Sequence, residues 1–332
     1  MDCIEYINNN KLNELLYFEN KNYYYNHKLV NKKLIIKILN NRNIYTRIKP
    51  IKALIISRCY GKKLPSNIIL YNKINDNYFD RNQLTELNIG LPVYIIHISK
   101  DKNWYFIKTY NYYCWINKKY ICKVNNQLFY KYLHPNNFII TTNRLYLNSN
   151  IFLEMGVKLP LYKRLKYTTK IYLPTKYKNT IKEKIIEINN NFICINYLKY
   201  TNKNIYIQAI KYLNVNYGWG GINNGVDCSS LIVNVYKVFG LYLPRDTSKQ
   251  QEIVGTNIIN TTNLNFIEKY KLLTSINRPA LIYLRGHVML FLKYTNKRIY
   301  VIHASSIYMK VIISILDNKT IDKICSIHFI NV

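Results

Sequence analysis

The stretch Gly225-Val226-Asp227-Cys228-Ser229-Ser230-Leu231 joins a glycine-containing loop to an apolar run with helical spacing that ends near Phe239. Backbone N–H groups at the start of a helix, together with the helix dipole, favour an anion. Such a setting lowers the pKa of a thiol, and the thiolate is the nucleophilic form of cysteine. Of the seven cysteines in the chain, only Cys228 has this setting. The sequence therefore predicts that Cys228 is a nucleophile with a lowered pKa.

Two histidines that follow Pro279 lie at the ends of apolar, strand-like runs: His287 precedes the run 288–292, and His303 ends the run 299–303. A cysteine nucleophile needs an imidazole within hydrogen-bond reach, and that imidazole must be oriented by another polar group. The chain order of nucleophile, base and orienting residue is that of papain. We therefore expect His287 to be the base and His303 to orient it, in a cleft between a helix and the following sheet.

Five segments within residues 200–332 stand out: YGWGG (217–221), GVDCSSL (225–231), LPRDTSKQ (243–250), GHVMLFL (286–292) and VIHASS (301–306). Together they resemble the NlpC family of cell-wall cysteine peptidases. The family pattern has a YxWGG loop, a DCSG nucleophile turn, a PRD(S/T) strip, and histidines in HV and IHA strands, in this order. One departure is Ser230, which stands where the family has glycine after the DCS triplet, and we expect it to be neutral.

The resemblance implies a catalytic role for four residues. Cys228 attacks the scissile carbonyl, and His287 takes the thiol proton and returns it to the leaving amine. His303 holds the imidazole, and the hydroxyl of Tyr217 points toward the developing oxyanion. The chemistry needs no cofactor, and no two histidines have the spacing of metal ligands, so we expect no metal.

The resemblance also implies a substrate, the stem peptide of peptidoglycan, cut between γ-D-glutamate and the diamino acid. Asp227 is expected to bind the free amino terminus of a trimmed peptide that begins with L-alanine. Ser229, Arg245 and Asp246 are expected to shape the same pocket. A monomer without a membrane span is expected, soluble in the cell envelope if a signal has been removed and otherwise cytoplasmic.

Between residues 49 and 197 the sequence predicts small β domains. Short apolar runs with turns between them are typical of small barrels, and the hairpin at Asp101-Lys102-Asn103-Trp104 resembles a bacterial SH3-like domain, with Cys114 in place of a usual glycine. We therefore expect a multidomain chain, in which two all-β SH3-like barrels precede an α+β papain-like catalytic domain. The predicted boundaries are 1–48 for a helical N-terminal segment, 49–124 and 138–197 for the barrels, and 200–332 for the catalytic domain.

The chain is strongly basic, with 48 Lys and Arg against 17 Asp and Glu and a net charge of +31. Such a field attracts polyanions, so nucleic acid, anionic wall polymers and acidic lipid are all candidate partners. Basic residues are spread through every segment, so we expect no specific nucleic-acid partner. The sequence leaves three alternatives open: an inactive wall-binding protein, a nucleic-acid-binding protein, and an acyltransferase or amidase of the papain-like superfamily.

Overall fold

The computed structural model describes residues 21–43, 48–178, 180–252 and 257–330, which belong to two compact units. The units alternate along the chain. The first comprises Met1–Ile139, Tyr146–Leu153 and Lys158–Asn190, and the second comprises Ile140–Leu145, Glu154–Val157 and Asn191–Val332. None of the described helices has the length and apolar character that a membrane crossing requires.

The first unit begins with a short hairpin, β1 (Tyr24–Tyr25) and β2 (Lys28–Leu29), followed by helix α1 (Lys32–Asn40). The side chain of Asn31 accepts a hydrogen bond of 2.8 Å from the backbone N–H of Lys33 and so caps α1. Helix α1 lies in the second half of the predicted N-terminal helical segment. The positions Leu12, Leu15 and Leu16, on which the first half of that prediction rested, lie outside the described residues.

A seven-stranded antiparallel sheet occupies the part of the first unit that was predicted as an SH3-like barrel. Its strand order is β5-β4-β8-β7-β6-β3-β9. Helix α2 (Asn126–Leu133) follows the sheet. The strands are β3 (Ile51–Ile55), β4 (Cys59–Lys62), β5 (Gln83–Leu87), β6 (Pro92–Ile98), β7 (Trp104–Lys108), β8 (Tyr113–Asn117) and β9 (Ile121–Lys123).

Cys114, the residue in place of the usual glycine, is fully buried on β8. The neighbouring strand β4 carries Gly61, where an added Cβ would lie only 2.5 Å from the Cys114 sulfur. Gly61 therefore provides the space that the larger side chain on β8 needs.

The stretch that was predicted as a second barrel contains seven strands. Strands β13, β14 and β15 form an antiparallel ladder within the first unit, with a register shift between Leu161 and Lys163. The strands are β10 (Phe138–Thr141), β11 (Leu145–Asn148), β12 (Ile151–Leu153), β13 (Lys158–Arg164), β14 (Thr168–Tyr177), β15 (Thr180–Asn189) and β16 (Ile193–Ile195).

The second unit is an α+β domain in which helices cover a six-stranded antiparallel sheet of order β17-β22-β18-β19-β20-β21. Its central helix, which begins at Cys228, is buried from Cys228 to Tyr236. The helices are α3 (Asn202–Ile210), α4 (Cys228–Lys237), α5 (Thr247–Gln251), α6 (Phe266–Thr274) and α7 (Asn318–Asp322). The strands are β17 (Asn257–Asn260), β18 (Leu281–Leu284), β19 (His287–Thr295), β20 (Arg298–Ser305), β21 (Lys310–Ile315) and β22 (Ile324–Phe329).

Two short pieces from the predicted second barrel belong to the core of this α+β unit. Ile140 and Met155 are fully buried in the same apolar cluster as Leu231 and Val235 of α4. Gly156, at φ +80°, approaches α4 so closely that a Cβ there would lie 2.8 Å from Cβ of Lys237. The helix that begins at Cys228 is therefore supported by segments far apart in the chain, and the exact domain boundaries stay predictions.

Candidate active site

The loop before Cys228 folds back on itself because two glycines touch through their backbones. An added Cβ at Gly225 would lie 2.6 Å from the backbone nitrogen of Gly218. Gly218 and Val226 are joined by a backbone hydrogen bond of 3.1 Å, and Tyr217 forms a β-bridge with Val226. This closed loop fixes the point at which the chain enters α4. Glycine is required here for close approach, since a side chain would meet backbone atoms that cannot move aside.

The first turn of α4 is held by a capping box between Asp227 and Ser230. The carboxylate of Asp227 accepts from the backbone N–H of Ser230 at 2.8 Å, and the hydroxyl of Ser230 accepts from the backbone N–H of Asp227 at 2.9 Å. The reciprocal bonds satisfy two helix-end donors. Ser230, the departure from the family pattern, therefore supplies half of the cap.

The carboxylate of Asp227 is buried and paired with Arg245. The guanidinium donates to Oδ1 at 3.0 Å and to Oδ2 at 2.6 Å, while the Ser229 hydroxyl and the Gly220 N–H donate to the same group at 3.1 and 3.0 Å. Burial by itself raises the pKa of Asp227, but Arg245 and the backbone donors outweigh it, and the pKa is lowered. Asp227 is thus ionised, and its carboxylate accepts five hydrogen bonds.

The other predicted pocket residues lie around this ion pair. Ser229 accepts from Arg245 at 2.9 Å, and the Gln250 amide donates to the Ser229 carbonyl at 3.1 Å. Asp246 is the N-cap residue of α5, and its carbonyl accepts from the Gln250 N–H. The structure therefore brings Asp227, Ser229 and Arg245 into direct contact. Their roles toward a substrate stay predictions.

Cys228 is the first residue of α4 and is 9% exposed. Its sulfur lies 3.7 Å from Oγ1 of Thr247, and the backbone N–H of Val288, the residue after His287, acts to lower the pKa of the thiol. Burial and the negative charge of Asp227 raise the pKa of the thiol, and the bonds from Thr247 and Val288 offset this only in part. The prediction of a lowered pKa is therefore wrong. The helix terminus is outweighed because the thiol is buried beside a carboxylate.

The two predicted histidines are hydrogen-bonded to each other. Nε2 of His287 lies 2.8 Å from Nδ1 of His303, and their ring planes are tilted by 78°. Nε2 of His303 in turn lies 3.0 Å from Oγ of Ser314 on β21. Burial lowers the pKa of both imidazoles to about 4, and for His287 the charge of His303 adds to this effect. Both rings are therefore neutral near pH 7, and Nδ1 is the nitrogen of His287 that the contact with His303 does not use.

Two residues of the site were missed by the sequence reasoning. Thr247 follows the PRD strip directly, where the family pattern has Ser or Thr, so its contact with the thiol could have been found. Ser314 had a weaker signal, a polar residue inside the apolar run of β21. Tyr217 was predicted as an oxyanion donor, and its backbone N–H bonds to the Met309 carbonyl at 2.9 Å. The oxyanion role of its hydroxyl stays a prediction.

Comparison with known proteins identifies two domains in the chain. A sequence model of the SH3 domain of the SH3b1 type matches residues 70–117, and one of the NlpC/P60 family matches residues 214–328. Among curated proteins, none matches the chain in sequence.

Solved structures with a similar fold include an NlpC/P60 endopeptidase from Photobacterium damselae subsp. piscicida. It has a TM-score of 0.78 and 20% identity, over 95% of this chain and 76% of that one. An NlpC/P60 family protein from Bacillus cereus has a TM-score of 0.61 and 16% identity, over 83% of this chain and 98% of that one. The predicted fold class, SH3-like β structure followed by a papain-like α+β domain, is confirmed. The chain thus combines a region that matches the SH3 domain with a region that matches the NlpC/P60 family, and it is a cysteine peptidase of the cell-wall hydrolase type.

Proposed function

We propose that the chain hydrolyses the bond between γ-D-glutamate and the diamino acid of peptidoglycan stem peptides, with Cys228 as nucleophile. The observation that carries this proposal is the arrangement around the thiol: Cys228 begins a capped helix, and its sulfur lies 3.7 Å from the hydroxyl of Thr247. A neutral imidazole pair follows on the adjoining strands. This arrangement suits acyl transfer, in which a thiol attacks a carbonyl and a base takes its proton.

In the proposed mechanism the thiol is protonated at rest. As the sulfur of Cys228 attacks the carbonyl carbon, its proton passes to Nδ1 of His287. The oxyanion is stabilised by the backbone N–H at the start of α4 and by the hydroxyl of Tyr217. Collapse of the tetrahedral intermediate breaks the C–N bond, and the leaving amine takes the proton from His287. Water then attacks the thioester, with His287 again as base, to release the γ-carboxylate and the thiol.

Recognition of a free L-alanine amine would involve Asp227. An ammonium group is a reasonable partner for an ionised carboxylate, and Asp227 is held ionised by Arg245. The carboxylate already accepts five hydrogen bonds, so the amine would have to share or replace a donor such as the Ser229 hydroxyl. We therefore expect the amine to improve binding without being essential for the chemical step.

The test is a digest of L-Ala-γ-D-Glu-diamino acid peptides, with the products identified by mass spectrometry. We expect free L-Ala-D-Glu and the diamino acid, and a loss of more than about a thousandfold in rate for Cys228→Ala. Cys325→Ser, which changes a cysteine on β22, is the matched control and should retain activity. A wild-type protein that binds the peptide and leaves it uncut would be a binding protein, and cleavage at another bond would indicate an amidase or a different peptidase.

The amine is tested separately with the N-acetylated peptide. A higher KM with little change in kcat supports recognition of the amine. Equal kinetic constants for both peptides would rule out that recognition while leaving the assignment of the scissile bond intact.

A further inference from the structure

Ser314 lies on the same face of the sheet as His303. In the antiparallel pair β20–β21, Val301 is opposite Ser314 and His303 is opposite Ile312. Side chains two residues apart in a strand point to the same face, so His303 and Ser314 are diagonal neighbours. The distance of 3.0 Å between Nε2 of His303 and Oγ of Ser314 is that of a hydrogen bond.

The contact between the two imidazoles restricts where their hydrogens are. Each neutral imidazole has one N–H donor and one bare nitrogen acceptor. His287 uses Nε2 toward His303, so the nitrogen left to accept a thiol proton is Nδ1. For Nδ1 to be bare, the hydrogen of His287 must be on Nε2, which then donates to Nδ1 of His303. Nδ1 of His303 must therefore be bare, and its hydrogen must be on Nε2.

The last acceptor in this series of hydrogen bonds is Ser314. With its hydrogen on Nε2, His303 needs an acceptor at that position, and the oxygen of Ser314 is the group found there. The opposite arrangement would put the hydrogen of His303 on Nδ1 and that of His287 on Nδ1 as well. The bare nitrogen of His287 would then be Nε2, which already accepts from His303, and Nδ1 could not take the thiol proton.

We propose that Ser314 is a positioning residue, which holds His303 in the tautomer that keeps Nδ1 of His287 basic. The proposal rests on the proposed roles of Cys228 and His287. It also applies after proton transfer, when imidazolium His287 must donate from Nε2 and His303 must accept. Ser314 does not touch the substrate in this scheme, so its effect is on kcat and little on KM.

Kinetics with three variants test the consequence for catalysis. Ser314→Thr keeps the hydroxyl. Ser314→Val removes it, although the valine side chain has nearly the same shape as threonine. Both residues are β-branched and suit a strand. We expect Ser314→Thr to retain kcat and Ser314→Val to lose about tenfold, as for one neutral hydrogen bond. Ser306→Ala, in the exposed turn after β20, should behave as wild type. Equal kcat values for the Thr and Val variants would overturn the proposal.

The tautomer itself is measured by NMR of ¹⁵N-histidine in the Cys228→Ala protein, where no activity is needed. His303 signals are assigned by their loss in His303→Asn. We expect hydrogen on Nε2 of His303 in the Ser314→Thr protein and a mixture of tautomers in the Ser314→Val protein. Identical tautomers in both proteins overturn the role of Ser314, whereas failure of the proposed function appears separately as peptide cleavage by Cys228→Ala.

Discussion

The guanidinium of Arg245 holds both carboxylate oxygens of Asp227, at 3.0 and 2.6 Å, directly before the nucleophile. Both side chains are buried, with exposed fractions of 6% and 9%. The pair connects Arg245, two residues before α5, to the N-cap of α4, so it joins the strip Leu243–Ser248 to the turn that presents Cys228. It also determines how much negative charge the thiol experiences.

Breaking this ion pair is expected to destabilise the fold strongly. Arg245→Met leaves Asp227 buried without its countercharge, which costs about 3–5 kcal/mol of unfolding free energy. Lys249→Met is the matched control, because the pair Lys249–Glu252 is 64% and 63% exposed, and such pairs contribute less than about 1 kcal/mol. The unfolding free energy is measured by urea denaturation, with circular dichroism as the signal. Similar losses for the two variants would contradict the structural role of Arg245.

The thiol of Cys228 is expected to react slowly with iodoacetamide at neutral pH. Because burial and Asp227 raise its pKa, the rate of alkylation should still be rising above pH 9, beyond the value of about 8.5 for an ordinary thiol. The contribution of Cys228 is obtained by subtracting the labelling of Cys228→Ala. A rate that levels off below pH 7 would indicate a preformed ion pair and would contradict general-base activation by His287.

Acid is expected to destabilise the second unit through three histidines. Burial lowers the pKa of His287, His303 and His328 to about 4, whereas an unfolded histidine titrates near 6.5. Between these values the unfolded chain binds more protons, so the unfolding free energy falls as the pH drops from about 6.5 to about 4. Denaturation at several pH values measures the slope, and His328→Phe should reduce it. A stability that is constant over this range would contradict the lowered pKa values.

Gly225→Ala is expected to damage both stability and activity. The new Cβ would meet the backbone nitrogen of Gly218 at 2.6 Å, and forced backbone shifts of this kind cost about 1–3 kcal/mol. Asn223→Gly is the control in the same loop, since Asn223 already has φ +52°, and glycine adopts that conformation readily. Thermal unfolding and peptide cleavage are the readouts. A Gly225→Ala protein with wild-type behaviour would show that the loop is not tightly closed.

The sequence by itself determined the local features of the site. Cys228 at the start of an apolar helix, the glycines before it and the strand positions of His287 and His303 all follow from short patterns, because capping, turns and strand alternation depend on neighbouring residues. The strands of the first β domain could be predicted from their alternating runs for the same reason. Even the capping box was present in the spacing of Asp227 and Ser230, although it was not recognised.

Only the tertiary structure decided the electrostatics of the site. The raised pKa of Cys228 depends on burial and on Asp227, and the charge of Asp227 depends on Arg245, 18 residues later in the chain. The link from His287 through His303 to Ser314 needs the register of three strands. These terms arise from groups that meet only when distant segments pack together, and burial, which is the largest of them, is a property of the whole fold.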